Sequence, residues 1–236
     1  NFDDIFGGFF EYLKSFILIN ICNKQKIDVN SKKGYSIALK LFGKEFNKLN
    51  KSRNFQSWWK DQLVNPYASK TWSLKELIIL ANSQKLKCYS NSPVFNKVNF
   101  FKWYKDIEKK DLKYSNYNEK VLLEWKKSYL NFLVGHKVIN KETINNRLLL
   151  KIEDLTKKIN ICLVNNRHIV KINIPKNFYK FLSINGLSQY SKELKNITSL
   201  LNNKENNSEK IINYYIKTKK ISKSWGNLLH YVVFKK

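Results

Sequence analysis

Glu11, His230, Arg147 and Arg167 are the residues of this sequence whose types suit covalent chemistry on RNA. A carboxylate base and an imidazole acid flanking a phosphate, with a guanidinium on the developing charge, would equip a metal-independent ribonuclease. The spacing along the chain neither forbids nor assembles such a set. Taken singly, Glu11 reads as a solvated helix residue, His230 as a half-buried strand residue and Arg147 as a helix-surface charge. These plainer readings are the stronger, so no catalytic residue is assigned and the chain is not expected to be an enzyme.

Metal chemistry has even less to stand on. His136, His168 and His230 are the only histidines, and none has a second ligand at metal spacing. Cys22, Cys88 and Cys162 are an odd, widely spaced set without a CxxC pair, which argues against a zinc ribbon or a disulfide framework and fits a reducing compartment. No phosphate loop, dinucleotide fingerprint, nucleophile elbow or metalloprotease helix occurs. Neither a metal nor a cofactor is expected.

Binding chemistry is better represented. The stretch "KINICLVNNRHIVKINIPK", residues 158 to 176, reads as two strands folded over an Asn165-Asn166 turn. In that register Ile159 faces Ile172, Ile161 faces Val170 and Leu163 faces His168, while Lys158 and Lys171 fall on the polar side. Asn165, Asn166, Arg167 and His168 would then form a donor-rich basic tip, in which arginine offers planar hydrogen bonding that lysine cannot reproduce. Lys126-Lys127, Lys157-Lys158 and Lys219-Lys220 are further basic pairs. Such dispersion suits contact with a phosphate backbone more than reading of a base sequence. The RNA-binding candidates are therefore Lys126, Lys127, Lys158, Asn165, Asn166, Arg167, His168, Lys171, Lys219 and Lys220.

The elements that must carry these residues are mainly helical in the first two thirds, where apolar residues return at three- and four-residue spacing. In "GYSIALKLFGKEFNKLNK" Ile37, Leu41 and Phe42 share one stripe, and Lys40, Lys44 and Lys48 another. Ser73, three residues before Glu76, forms a capping box at the start of "LKELIILANSQK". "NKVNFFKWYKDIEKKD" carries Phe100, Trp103, Tyr104 and Ile107 at helical spacing. "NYNEKVLLEWKKSYLNFLVG" aligns Val121, Trp125, Tyr129 and Phe132 and ends near Gly135. Trp58 and Trp59 are neighbours about 100° apart on a helix, so one is expected at a surface or interface. The N-terminal apolar run is interrupted by Glu11 and Lys14, falls short of the ~18 to 20 residues of a bilayer span, and reads as a buried helix.

After Pro175 come a short helix, a low-complexity loop over residues 202 to 210 and a final apolar stretch suited to a strand. The expected fold is thus α+β, with a helical part over 1–140 and a smaller mixed part with the hairpin over 141–236. The two would also suit one continuous domain.

Composition sets the partner. The chain holds 44 basic against 18 acidic residues, a net charge of +26, yet 43% of it is hydrophobic, so a real core must coexist with strong self-repulsion. A dense polyanion relieves that repulsion, and nucleic acid is the leading one. Lysine, asparagine and isoleucine number 41, 31 and 23, whereas arginine and alanine number 3 each, the imprint of an AT-rich gene. Absence of methionine beside so many isoleucines favours a genetic code that keeps ATA as isoleucine. The composition is similar to that of organelle-encoded ribosomal proteins. It implies a structural rRNA-binding protein of a mitochondrial ribosome, located in the matrix, with rRNA and neighbouring ribosomal proteins as partners and no membrane or small-molecule substrate. The alternative is a ribonuclease toxin acting on tRNA or rRNA from an AT-rich plasmid, cytoplasmic or secreted. An intron-derived maturase or homing-endonuclease remnant fits less well, since no paired acidic motif for metal-dependent cleavage is present.

Overall fold

The structure, a computed structural model, describes residues 2–3, 7–49, 53–64, 72–92, 117–164, 171–203, 205–225 and 229–235. Helix α1 (Phe9–Lys24) is apolar around most of its girth and is enclosed by other helices; Phe9, Phe10, Leu13, Ile17, Leu18 and Ile21 are all buried. Helix α2 (Lys32–Ala38) is capped by Ser31, whose side chain accepts from the Gly34 N–H, and continues through a π-helical turn, Leu39–Gly43, into α3 (Lys44–Phe46). Asn54 likewise caps α4 (Phe55–Trp58), which widens into a π turn over Trp59–Val64. The Ser73–Glu76 capping box forms as expected at the start of α5 (Leu74–Ser83).

Helices α6 (Tyr117–Val134) and α7 (Asn146–Val164) follow, and Gly135 ends α6 at a φ of 77° that favours glycine. Val121, Trp125, Tyr129 and Phe132 are all buried along α6, as their spacing requires. The remaining helices are α8 (Lys176–Ile184), α9 (Ser188–Asn202) and α10 (Ser208–Lys217), with a 3-10 turn at Ile221–Lys223. A minor antiparallel ribbon joins distant parts of the chain: β3 (Leu229–Lys235) lies between β1 (Phe2–Asp3) and β2 (Lys87–Ser92). Phe2 is paired with His230 and Ser92 with Tyr231.

One apolar cluster runs from Phe9 to Ile221. Phe9 meets Phe178 edge to face at 5.9 Å and Phe10 meets Tyr190 at 5.8 Å, which sets α8 and α9 directly against α1. Such ring pairs contribute about 0.5 to 1.5 kcal/mol each beyond the area they bury.

Three expectations require correction. The fold is mainly helical, and among the described residues there is no β-hairpin: Lys158 to Val164 form the end of α7. The reason is a helical stripe through Leu148, Leu149, Ile152, Thr156 and Ile159, all buried, which outweighs the local alternation; Ile161, assigned inward in the strand register, is 49% exposed. Lys171 to Pro175 form no regular element. Second, Trp58 and Trp59 are both buried. The helix widens between them and is covered on two sides, Trp58 by Phe46 and Trp225 and Trp59 by Tyr35. Third, the low-complexity stretch 202–210 is shorter as a loop, because α9 extends to Asn202 and α10 begins at Ser208. The helix expected through Phe100, Trp103, Tyr104 and Ile107 lies outside the described residues.

Candidate nucleic-acid interface

Charge is segregated between inside and outside. Every lysine whose side chain is described, Lys14 excepted, is exposed or half-buried, while Glu124, Glu153 and Glu193 are buried. The lysine stripe Lys40, Lys44 and Lys48 is exposed as its spacing predicts. Ion pairs consume part of the excess: Lys48 with Glu45 at 2.7 Å, Arg53 with Asp61 at 3.0 Å, and Lys157 with Glu76.

The expected contact residues separate into three groups. Lys127 is paired with Glu124 at 2.9 Å and Lys126 donates to Asn146 Oδ1 at 2.6 Å, so both are engaged on α6. Lys158, placed on a strand by the sequence reading, lies on α7 and pairs with Asp154 one turn earlier at 2.7 Å. Asn165, Asn166, Arg167 and His168 lie outside the described residues. Lys171, Lys219 and Lys220 are exposed, and the structure brings them to the same helix, α9.

Two anchors achieve this. Glu193, on the buried side of α9 and 3% exposed, accepts from the backbone N–H groups of Lys219 at 2.8 Å, Lys220 at 3.0 Å and Ile221 at 2.9 Å. A carboxylate so bonded stands in the place an anion takes in a backbone nest. At the end of α9, Asn202 accepts from the Ile172 N–H at 2.9 Å and donates to the Ile172 carbonyl at 2.7 Å, which fixes the backbone beside Lys171. Neither Glu193 nor Asn202 was singled out from sequence. Glu193 could have been, as the sole acid between residues 171 and 203.

A second polar group lies under α1. Lys14 is fully buried and its ammonium donates to the Ser224 carbonyl, with the Ile221 carbonyl at 3.5 Å. It also lies 4.7 Å from the Trp225 ring, a cation–π contact. Burial lowers its pKa to about 7, against the pull of nearby Glu11. Glu11, half-buried one turn earlier, accepts from the Trp58 indole N–H at 3.3 Å. Phe2 pairs with His230 and Lys14 holds Ser224, so described residues from near both ends of the sequence meet. Arg147 lies exposed in the first turn of α7, and Arg167 is outside the described residues.

Cys22 and Cys88 are buried and not joined in a disulfide. No cluster of histidine, cysteine and acid side chains suited to a metal occurs among the described residues, and none of the described helices is long and apolar enough to cross a membrane. No family model, curated protein or solved structure matches this chain.

Proposed function

We propose that this protein binds RNA through its phosphate backbone and that, as the composition implies, it serves as a structural rRNA-binding component of an organellar ribosome, in the mitochondrial matrix. The observation that carries the RNA reading is the segregation of charge: lysines lie outside, Glu193 is satisfied inside by backbone N–H groups, and the ion pairs among the described residues leave a large cationic excess facing solvent. Neutralising phosphates with those lysines releases condensed counterions, which supplies affinity without base recognition. Gentle lysis followed by sedimentation tests the ribosomal form. The protein should travel with a large ribonucleoprotein particle and leave it at about 0.5 to 1 M salt; a free monomer in the gentle lysate contradicts it.

A second reading, cleavage of tRNA or rRNA, draws support from the ties between the two chain ends. His230 lies on the strand that pairs with Phe2, and Glu11 lies on α1, where its carboxylate accepts an indole N–H. A carboxylate base and an imidazole acid flanking a phosphate are what metal-free phosphodiester cleavage requires. Incubation of the protein with tRNA in a metal chelator tests it: cleavage should occur and should disappear in Glu11→Gln and in His230→Ala while RNA is still bound. Intact tRNA after incubation with the unmodified protein removes this reading.

A further inference from the structure

We infer that the solvent face of α9, extended by the turn at Lys219-Lys220 and by Lys171, is the surface on which this protein seats an RNA backbone. This rests on the RNA reading above and gives it a location.

Helical geometry defines the face. Starting from Glu193 and turning about 100° per residue, the exposed arc of α9 runs through Gln189, Asn196, Lys192, Ser199 and Lys195. Its charges are all positive and its neutral members are hydrogen-bonding side chains. Between residues 171 and 203 Glu193 is the single acid, and it is directed inward onto the N–H groups of residues 219–221. The carboxylate that would weaken anion binding is thereby removed from the surface and spent on holding two more lysines beside the helix.

Asn202 does the same for Lys171 at the far end, nine residues along α9 from Glu193, a rise of about 14 Å. A row of cations of that length suits an extended chain of phosphates. No single small anion would span it. The exposed acids Glu142 and Glu205 fall outside it, near the α8–α9 turn and beyond the end of α9 respectively. Lys126, Lys127 and Lys158 lack this arrangement, because each is already engaged by a neighbouring side chain.

The test compares two triple charge reversals in the full chain, Lys192→Glu/Lys195→Glu/Lys219→Glu and the control Lys32→Glu/Lys33→Glu/Lys44→Glu, all exposed positions. Binding of a short labelled single-stranded RNA is followed between about 50 and 200 mM salt. The first triple should lose at least tenfold more affinity than the control and flatten the log K against log salt slope by about 2, the share of three phosphate contacts.

A second variant distinguishes an ordered surface from bulk charge. Glu193→Gln removes a negative charge, yet turns an amide donor toward N–H groups; it should weaken RNA binding several-fold. If it binds as tightly as the unmodified protein or more so, or if both triples lose equal affinity, the assigned surface is wrong while the RNA reading survives. If the unmodified chain ignores RNA at the lowest salt, the RNA reading itself falls.

Discussion

Glu193 and Lys14 hold the same piece of chain from opposite sides by opposite means. Glu193 gathers the N–H groups of residues 219–221, and Lys14 reaches the carbonyls of Ile221 and Ser224. The anion has four donors between 2.8 and 3.0 Å, the N–H groups of residues 219–221 and the Gln189 side-chain amide. The cation has a carbonyl, a second at the limit of hydrogen bonding and the face of Trp225, and burial has pulled its pKa down to about 7. A buried charge anchors a segment to the extent that its bonds replace the water it lost. By that measure Glu193 is the strong clamp and Lys14 the weak one.

The largest effect should follow from removing the strong clamp. Glu193→Leu strips one buried and two part-buried N–H groups of their acceptor and should lower unfolding free energy by about 3 kcal/mol in urea denaturation. Asn202→Ala breaks the two bonds to Ile172 in a partly exposed site and should cost about 1 to 2 kcal/mol. Lys14→Met, which keeps the length of the side chain and discards its desolvation penalty, should change stability by less than about 1 kcal/mol at neutral pH. If Lys14→Met costs as much as Glu193→Leu, the ranking is wrong and Lys14 is as firm an anchor as the carboxylate.

The last expected effect is a pH slope whose sign is fixed by Lys14. Its pKa falls from 10.5 unfolded to about 7 folded, so above pH 7 the unfolded chain binds more protons than the native one, and stability rises with pH in that window. Cys22, pushed up to about 11 by burial, and the buried tyrosines, also raised, act with the opposite sign above about pH 9. The urea midpoint should therefore rise between about pH 7 and 8.5 in the unmodified protein. It should rise measurably less in Lys14→Met; an equal rise assigns the slope to other groups.

The same contrast between local pattern and long-range contact explains what the sequence could reveal. Caps and stripes are local, so the Ser73 capping box, the α6 stripe ending at Gly135 and the lysine stripe Lys40, Lys44 and Lys48 were readable. The final strand was too, since its apolar stretch needs no partner to be recognised. The hairpin failed because a chain with 23 isoleucines and 31 asparagines produces alternating runs and Asn-Asn pairs without need of a turn. The stripe that contradicts the hairpin begins ten residues upstream, at Leu148. Asn185-Gly186, between α8 and α9, does form a turn, where Gly186 has a φ of 76° and Asn185 is buried.

The site was partly legible for a similar reason. Lys171, Lys219 and Lys220 were identifiable as basic residues, but their meeting on α9 depends on Glu193 and Asn202, contacts 26 and 30 residues apart in sequence. Lys14 looked like an interruption of an apolar helix; its carbonyl partners lie more than 200 residues away.

The most direct test of the central claim is the affinity of the purified, unmodified chain for RNA as a function of salt. The account predicts tight binding at about 50 mM salt that weakens at least a hundredfold by about 200 mM, because phosphate neutralisation drives it. Affinity that is absent at the low concentration, or that does not respond to salt, contradicts it.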